Sequence, residues 1–476
     1  MKNILLLLIS GLFFLKANSQ SWQEVGSVAN ALNANDIINS VIADKQGNIY
    51  AAGGFTDTNG GVYVAKWNGT TWSELGTGAN ALNANNQILT LALDKSGNLY
   101  AAGLFTDSVT SNKGHQYVAK WDGNSWSQLG VGTQALNANA QINTLSSDSV
   151  GNIFAAGDFT DSVVWKWNGS RYIAKWNGTN WAELEGPIPS LKARGTIGTI
   201  NSLITDNIGQ VYAAGSLYDS LLSSYFVTRF NGTNWTYMGS APVCVDFTVP
   251  IKSLVIDSNS TIYASGNEYF TNVSNTIVTQ LKTLSCSRVG AIFFNNEIFA
   301  SAIDKNKNLY VAGRFTDSTT SLLGNPYVAK WDGTTWSELG TGANALKPNN
   351  SIISITTDTA NNVYAAGYFY NSSNKYYVGK YTQPAAGINN LTNNAANDLK
   401  VYPNPTTNQL TVSGIQFSGN TKIEIENILG QVMVSLSNHL TTANCQLTTA
   451  NLPSGIYILK ATDEKGFVHT AKFVKE

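Results

Sequence analysis

Two tryptophans, Trp165 and Trp167, stand where the surrounding pattern of the chain does not require an aromatic residue. The stretch TDSVVWKWNGSRYIAKWNGTNW (160–181) contains Trp-Asn-Gly twice, and only the second copy falls at a regularly recurring position. The first copy therefore lies in a loop, with Lys166 and Arg171 beside the indoles. Exposed indoles next to cations suit stacking on sugar rings or contact with a protein surface. The alternative is a local duplication that folds as an additional hairpin.

A second set of candidate contact residues follows a recurring small-residue triplet that ends in glycine. The residue directly after each triplet differs from copy to copy: Gly54, Leu104, Asp158, Ser216, Asn267, Arg314 and Tyr368. If the copies form a ring, these residues surround one mouth of its channel. We expect Asp158, Arg314 and Tyr368 to be the specific ligand contacts there; neutral drift at a solvated strand end is the alternative.

Catalytic motifs are scarce in this sequence. Its three histidines are His115, His439 and His469, and no Ser/His/Asp order, HExxH helix or phosphate loop is present. Glycoside hydrolysis needs two carboxylates roughly 5–9.5 Å apart. Asp158 with Glu268 or Asp246 could supply such a pair, although nothing in the sequence brings them together.

A repeated Phe-Thr-Asp triplet offers a possible calcium ligand at Asp57, Asp107, Asp161 and Asp317. Single aspartates one repeat apart are too distant to share one ion, and a turn closed by the Asp side chain explains them equally well. We predict neither a metal nor a cofactor.

Seven copies of one hairpin organise the chain. Each copy has an Asp and a Gly nine positions apart, around turn residues that precede an alternating strand. The copies are DKQGNIYAAG (44–53), DKSGNLYAAG (94–103), DSVGNIFAAG (148–157), DNIGQVYAAG (206–215), DSNSTIYASG (257–266), DKNKNLYVAG (304–313) and DTANNVYAAG (358–367). The constant spacing indicates a fixed strand register, because a slip of one residue turns the core face outward.

A second hairpin follows most copies, with Asn-Gly or Asp-Gly between two aromatics, as in VAKWNGTTWSELG (64–76). The last copy stops after one strand, YVGKYTQ (377–383), whereas the predicted mature chain begins near the unmatched strand SWQEVG (21–26). We therefore predict that Trp22 pairs with Tyr381 and closes a ring. In the fifth copy Cys286 replaces the second aromatic, and we interpret it as a buried packing thiol rather than a disulfide partner. The other cysteines are Cys244 and Cys445.

Four strands in each of seven repeats of about fifty residues predict an all-β, seven-bladed β-propeller over residues 20–383. The unit GNLYAAGLFTD…YVAKWDGNSWSQLG resembles the kelch-like and cortical-marker-type propeller repeats of bacterial secreted proteins over residues 21–383. The resemblance implies the fold and implies no particular activity.

Composition and the N-terminus indicate export. Met1-Lys2-Asn3, an apolar run from Ile4 to Leu15 and Ala17-Asn18-Ser19 predict a signal peptide over residues 1–19. The apolar run is shorter than the roughly 20 residues that a membrane helix needs. With 12% charged residues and a net charge of −1, the chain has no basic field for nucleic acid or anionic lipid.

The last eighty residues follow a different pattern. After an Asn-rich linker (384–398), strands of period two predict a small Ig-like β-sandwich over residues 399–476. Three motifs stand out in this region: Tyr402-Pro403-Asn404-Pro405, the stretch containing Gly455 and Tyr457, and a basic tail with Lys472 and Lys475. These resemble the type A C-terminal sorting domain of the type IX secretion system of Bacteroidota. That resemblance implies export across the outer membrane, partnership with the secretion machinery and its sortase, and removal of this domain. An ordinary β-sandwich binding module is the alternative.

Together these features predict a secreted or cell-surface, non-catalytic and monomeric β-propeller that binds a glycan or a protein. A propeller-based polysaccharide-degrading glycosidase or lyase is one alternative, and a passive surface-layer component is another.

Overall fold

The structure is a computed structural model that describes residues 20–26, 29–108, 113–160, 171–184, 195–219, 224–238, 247–270, 273–282, 285–290, 294–316, 324–383, 399–413, 422–427, 431–437, 445–462 and 468–476. The chain divides into two compact units, residues 1–385 and 386–476. The predicted signal peptide (1–19), the predicted linker (384–398), Trp165 and Trp167 lie outside the described residues. Within the described part of the chain, no helix has the length and apolar character needed to cross a membrane.

The first unit consists of antiparallel sheets, each built on a path of four strands, and we call each sheet a blade. Blades 1 to 3 comprise Ile38–Ala43, Ile49–Thr56, Val62–Trp67 and Trp72–Glu74 (β2–β5); Ile88–Leu93, Leu99–Gly103, Ala119–Trp121 and Trp126–Gln128 (β6–β9); and Ile142–Ser147, Ile153–Gly157, Ala174–Trp176 and Trp181–Glu183 (β10–β13). Blades 4 to 6 comprise Gly195–Thr205, Val211–Asp219, Ser224–Tyr225, Thr228–Phe230 and Trp235–Tyr237 (β14–β18); Ser253–Ile256, Ile262–Phe270, Val273–Lys282 and Ser285–Arg288 (β19–β22); and Ile298–Ile303, Leu309–Thr316, Pro326–Trp331 and Trp336–Glu338 (β23–β26). Blade 7 comprises Ile352–Thr357, Val363–Gly367 and Gly379–Tyr381 (β27–β29), together with Trp22–Glu24 (β1). Short 3₁₀ turns lie between blades at Gly78–Asn80, Gly132–Gln134 and Gly342–Asn344.

The turn between the first and second strands depends on its aspartate. In blade 1, Asp44 Oδ1 accepts the backbone N–H groups of Gln46 (2.9 Å) and Asn48 (2.8 Å), and Asp44 Oδ2 accepts the hydroxyl of Tyr50 at 3.1 Å. The same carboxylate–tyrosine bond recurs in blades 2, 4, 6 and 7. The constant Asp-to-Gly spacing therefore reflects a turn whose side-chain bonds tolerate no insertion.

The glycine that ends the Asp-to-Gly unit of blade 1 permits a bulge in the first strand of that blade. The register of β2 against β3 shifts between Ile38 and Ser40. A Cβ on Gly53 would overlap the carbonyl oxygen of Ile37, so the bulge requires glycine there.

The hydrophobic core lies between neighbouring blades. Phe105 of blade 2, for example, is fully buried in one cluster with Val64 and Leu75 of blade 1. Burying such a side chain contributes about 1.5–3 kcal/mol. Because each blade covers its neighbour, no blade has a complete core by itself.

The blades form a closed circle. Each first strand packs against the first strand of the next blade, and β27 of blade 7 packs against β2 of blade 1. The N-terminal strand β1 pairs with β29, with Trp22 opposite Tyr381, as the sequence predicts. The first unit is therefore a β-propeller in which the N-terminal strand completes the last blade.

Tryptophans on the outermost strands bond neighbouring blades to each other. Trp126 Nε1 of blade 2 donates to the carbonyl of Leu75 in blade 1 at 2.7 Å, and the equivalent bonds of Trp22, Trp72, Trp181 and Trp336 are 2.6–2.9 Å long. In blade 4, Trp235 Nε1 is buried and has no partner among the described residues.

The interpretation of Cys286 as a free packing thiol is wrong. Its predicted register is present, since Cys286 lies opposite Leu281 where other blades place two aromatics, and it packs on a hydrophobic cluster. The sulfur is, however, disulfide-bonded. Cys445 is a buried free thiol. The strand position at which other blades carry the bonding tryptophan is thus occupied in blade 5 by a disulfide-bonded cysteine.

The second unit is a small Ig-like β-sandwich. One sheet contains Lys400–Tyr402, Gln409–Ser413 and Cys445–Thr448 (β30, β31 and β34), and the other contains Lys422–Asn427, Val432–Ser437, Gly455–Thr462 and Val468–Lys475 (β32, β33, β35 and β36). Alternate residues of both sheets, including Leu410, Ile425 and Leu459, are buried between them. The predicted all-β chain with a propeller and a β-sandwich is confirmed.

Candidate functional site: the rim of the propeller

The residue that follows the glycine of each Asp-to-Gly unit differs from blade to blade, and in five blades it makes the same backbone hydrogen bond. We call this set, with the residues that begin the third strands beside it, the rim; its first members are Gly54, Leu104, Asp158, Ser216, Asn267, Arg314 and Tyr368. The rim N–H groups of Gly54, Leu104, Asp158, Arg314 and Tyr368 each donate to the carbonyl of a residue that precedes a first strand, at 2.9–3.0 Å. The shared backbone therefore presents a different side chain from each of these blades.

Asp158 and Arg171 contact each other. Arg171 Nε lies 3.1 Å from Asp158 Oδ1, and both side chains are half-buried. Asp158 Oδ1 also accepts the hydroxyl of Thr199 at 2.5 Å, and Asp158 Oδ2 accepts Gln141 Nε2 at 2.7 Å. The carboxylate has three protein donors, which leaves it little capacity for a further donor.

Arg314 and Tyr368 meet at Ser351. Arg314 Nε donates to Ser351 Oγ at 3.4 Å, and the Tyr368 N–H donates to the carbonyl of the same serine. The guanidinium also lies over the ring of Phe299, with 5.6 Å to the centroid. The side chain of Tyr368 is 41% exposed, and that of Arg314 is exposed as well. These two sequence candidates are neighbours on the open part of the rim.

Two further tyrosines and an aspartate extend this part of the rim, and sequence reasoning missed all three. The rings of Tyr370 and Tyr376 lie 5.8 Å apart at 68°, and Tyr370 is 40% exposed. Burial raises the pKa of Tyr376, and the nearby Asp36 carboxylate raises it further. The hydroxyls of Tyr370 and Tyr368 also raise the pKa of Tyr376. A signal existed in the sequence, because Tyr370 occupies the threonine position of the Phe-Thr-Asp triplet.

The opposite mouth of the channel holds a separate cavity of about 470 Å³. It is lined by the aspartate turns of blades 1 to 4, with Lys45 and Lys95 among its residues. The turn carboxylates there already accept bonds from their own hairpins, as those of Asp44 and Asp94 do. This cavity is polar, and it lacks the exposed aromatics of the rim.

The Phe-Thr-Asp aspartate of blade 1 forms a side-chain turn. Asp57 Oδ1 accepts the N–H groups of Asn59 and Gly61, each at 2.9 Å. Asp57 lines a side pocket of about 430 Å³ together with Glu74. Burial raises the pKa of Glu74, and the charge of Asp57 raises it further.

The sorting-motif residues of the second unit converge on the last strand. Asn404 Oδ1 accepts the N–H of Val474 at 2.8 Å, and Asn404 Nδ2 donates to the carbonyl of Lys472 at 3.1 Å. Gly455 lies opposite Lys475, whose Nζ donates to the carbonyl of Glu476.

Other motif residues define the surroundings of that strand. The hydroxyl of Tyr457 donates to the carbonyl of Pro453 at 2.9 Å, and its ring stacks on Phe473. Tyr402, by contrast, is 49% exposed. Pro403 and Pro405 both follow cis peptide bonds.

Residues 400–476 match the family model described as the secretion system C-terminal sorting domain. The C-terminal unit is thus a type IX sorting domain, and the protein is exported to the cell surface or the extracellular space. No curated protein matches the chain.

Several solved structures are similar to this chain. PorZ, described as an essential bacterial surface component of the type IX secretion system of Porphyromonas gingivalis, has 12% identity and a TM-score of 0.49, over 93% of this chain and 59% of PorZ. Virginiamycin B lyase from Staphylococcus aureus has 11% identity and a TM-score of 0.48, over 76% of this chain and 99% of the lyase. The β-propeller domain of the Trilobed protease from Pyrococcus furiosus has 8% identity and a TM-score of 0.48, over 74% of this chain and 95% of that domain. Likenesses at this level do not transfer an activity to this chain.

Proposed function

We propose that this exported β-propeller is a non-catalytic module that binds an extracellular glycan or protein through its rim. The rim is the surface on which one shared backbone carries side chains that differ from blade to blade. Loops and strand ends on a rigid scaffold are where binding residues concentrate. Variation confined to side chains alters a binding surface without altering the fold.

The observation that carries the proposal is the exposure of Tyr368 and Tyr370, at 41% and 40%. At the position of Tyr368, blade 1 has Gly54, and at the position of Tyr370 it has Thr56. The fold thus accepts small residues at both places. Large exposed aromatics that packing does not require are typical anchors of binding sites.

The state of Asp158 supports a non-catalytic role. Three protein donors, including Arg171, occupy its carboxylate. A general acid or base needs its oxygen within hydrogen-bonding reach of the substrate. The side chain of Glu268 and all of Asp246, the sequence candidates for a second carboxylate, lie outside the described residues.

A glycan array and a pull-down from culture supernatant, both with the purified chain, test the proposal. We expect the chain to retain a glycan or a protein. A Tyr368→Gly/Tyr370→Thr variant, which introduces the residues found in blade 1, should lose this retention. Val150→Ser is the control, because Val150 lies in the aspartate turn of blade 3 rather than on the rim and is 81% exposed. Turnover of any polysaccharide would replace the proposal with an enzymatic function.

Trp165 and Trp167 remain proposed contacts and need their own variant. We expect Trp165→Ala/Trp167→Ala to weaken the same retention. Unchanged retention would remove both tryptophans, and with them the role of neighbouring Arg171, from the proposed binding surface.

We further propose that the secretion machinery and its sortase recognise the second unit and remove it after export. Asn404 and Gly455 pair with the last strand, which carries Lys472 and Lys475. This arrangement supports recognition of the motif residues together, as one folded surface. Deleting residues 399–476 should retain the protein in the periplasm, as measured by cell fractionation. Extracellular protein after that deletion would contradict this proposal.

A further inference from the structure

Three aromatic rings and one carboxylate form a compact group where blade 7 meets blade 1. We call Tyr368, Tyr370, Tyr376 and Asp36 the tyrosine cluster. Tyr370 and Tyr376 are in ring contact, and the charge of Asp36 acts on Tyr376. Two of the three rings are about two-fifths exposed. The cluster therefore combines flat apolar faces, phenol hydroxyls and a strong hydrogen-bond acceptor.

The backbone of the cluster is held from several directions. Asn349 Oδ1 accepts the N–H of Tyr370 at 3.0 Å, and Asn349 Nδ2 donates to the Tyr370 carbonyl at 3.2 Å. Tyr376 and Ala34 exchange two backbone hydrogen bonds of 3.0 and 3.2 Å. The turn that joins the two tyrosines is closed by Asn371, whose N–H donates to Lys375 O at 2.9 Å. A ligand that meets these rings orders little backbone, which lowers the entropic cost of binding.

The fold does not require the tyrosines. At the position of Tyr370, blades 1, 2, 3 and 6 have Thr56, Thr106, Thr160 and Thr316. At the position of Tyr376, the same blades have Val62, Gln116, Arg171 and Pro326. In blade 1, Thr56 bonds through its backbone N–H and its hydroxyl to Asn35, the counterpart of Asn349. The repeat thus supplies substitutions that fit the backbone.

The charge of Asp36 is also unnecessary for the fold. Asp36 Oδ1 accepts the N–H of Ile37 at 2.7 Å. In blades 2, 6 and 7 an asparagine oxygen accepts the same bond, at 2.7–2.8 Å, from the residues Asn86, Asn296 and Asn350. A neutral amide therefore satisfies the structural role, and the negative charge at Asp36 is additional.

Gly54 leaves space for this carboxylate. A Cβ on Gly54 would lie 2.6 Å from Asp36 Oδ2 and 3.4 Å from Gln87 Nε2. Of the rim residues, glycine alone has no side chain to fill this place. The Asp36 carboxylate thus lies at the place that a rim side chain would fill, next to the Gln87 amide.

We propose that the tyrosine cluster binds an uncharged hexopyranose unit of a glycan, stacked on the exposed tyrosine rings with a hydroxyl donated to Asp36. A pyranose has an apolar C–H face and hydroxyls at its edge, which matches aromatic faces beside an acceptor and an amide. The carboxylate disfavours an anionic sugar, because like charges repel at short distance. This inference rests on the proposed function and selects the glycan among its ligand classes.

Titration calorimetry of the full chain with cellohexaose, maltohexaose, laminarihexaose and mannohexaose tests the inference, with oligogalacturonate as the anionic probe. We expect one neutral hexaose to bind. Tyr370→Thr/Tyr376→Val should weaken its binding by about tenfold or more, because stacking area is lost. Asp36→Asn keeps the bond to Ile37 and should weaken binding by roughly threefold to tenfold, since a charge-assisted bond becomes a neutral one.

The equivalent tyrosine pair of blade 4 provides the matched control. Tyr218 and Tyr225 are also in ring contact, at 5.1 Å, but both are only partly exposed. Tyr218→Phe/Tyr225→Phe should leave hexaose affinity unchanged. Thermal melting checks that every variant is folded. If the tyrosine variant does not fold, the isosteric Asp36→Asn variant still tests whether the cluster binds the hexaose.

The outcomes separate the inference from the proposed function. A neutral hexaose that binds equally well to the folded cluster variants overturns the tyrosine cluster as its site and leaves a glycan-binding rim. Preference for oligogalacturonate overturns the assigned sugar class. If no hexaose binds but the pull-down retains a protein through the rim, the inference is overturned and the proposed function stands. If neither assay detects a ligand, the proposed function is overturned as well.

Discussion

The ring of Trp22 lies 5.6 Å from the ring of Tyr381, and Trp22 Nε1 donates to the carbonyl of Leu339 at 2.6 Å. The first described strand of the chain is thereby joined to the last strand of the propeller and to the preceding blade. Trp22 is 9% exposed. This one side chain both pairs within blade 7 and bonds blade 7 to blade 6.

Trp22→Ala should destabilise the propeller by about 3–5 kcal/mol, because a buried aromatic and a bond between blades are lost together. Urea unfolding followed by tryptophan fluorescence measures the change. Trp22→Phe, which keeps an aromatic ring, should lower the free energy of unfolding by less than Trp22→Ala does. Equal stability of Trp22→Ala and wild type would show that closure by β1 contributes little.

The outer-strand tryptophans permit a test of a single hydrogen bond between blades. Trp126→Phe removes the donor to the Leu75 carbonyl and should cost about 1–3 kcal/mol, since that carbonyl loses its partner. Trp235→Phe is the control, because Trp235 Nε1 has no partner among the described residues. Thermal melting should give Trp126→Phe a lower melting temperature than Trp235→Phe. The reverse order would contradict the assigned role of the bond.

Buried tyrosines predict a loss of stability at high pH. Burial, with the charge of Asp206 and the hydrogen bond to it, raises the pKa of Tyr212 to about 12; burial and Asp107 raise that of Tyr117 to about 12. In an unfolded chain the pKa is about 10. Between these values the unfolded state releases protons that the folded state retains, so stability is complete below about pH 10 and falls as pH rises towards about 12.

Unfolding in urea at a series of pH values measures this dependence. Tyr212→Phe copies the arrangement of blade 3, which has Phe154 at this position, and should make the decline shallower above pH 10. It should also cost about 1 kcal/mol at pH 7, through loss of the bond to Asp206. A decline of unchanged steepness would show that Tyr212 does not titrate with unfolding.

Asn404 should stabilise the last strand of the sorting domain. Asn404→Ala removes both side-chain bonds to that strand and should reduce amide-exchange protection at Val474, with a cost of about 1–2 kcal/mol. Asn404→Asp retains the acceptor for Val474 and loses the donor to Lys472, so its effect should be smaller. Unchanged protection in Asn404→Ala would mean that the strand is held by its sheet alone.

The sequence by itself determined the repeat, the strand register and the pairing of Trp22 with Tyr381. Those features depend on local chemistry: an aspartate turn of constant length, alternation of period two, and aromatics at matching offsets. The sorting domain was likewise evident from short motifs whose residues are close in sequence or lie in one small unit.

Only the tertiary structure decided which rim side chains meet. Asp36 and Tyr376 come from opposite ends of the propeller sequence and approach each other because the ring closes; Asp158 is occupied because Thr199 of the next blade reaches it. The disulfide at Cys286 was likewise beyond sequence reasoning. Strand register follows from local periodicity, whereas contacts between blades depend on the angle and spacing at which whole sheets pack, which no single stretch of sequence contains.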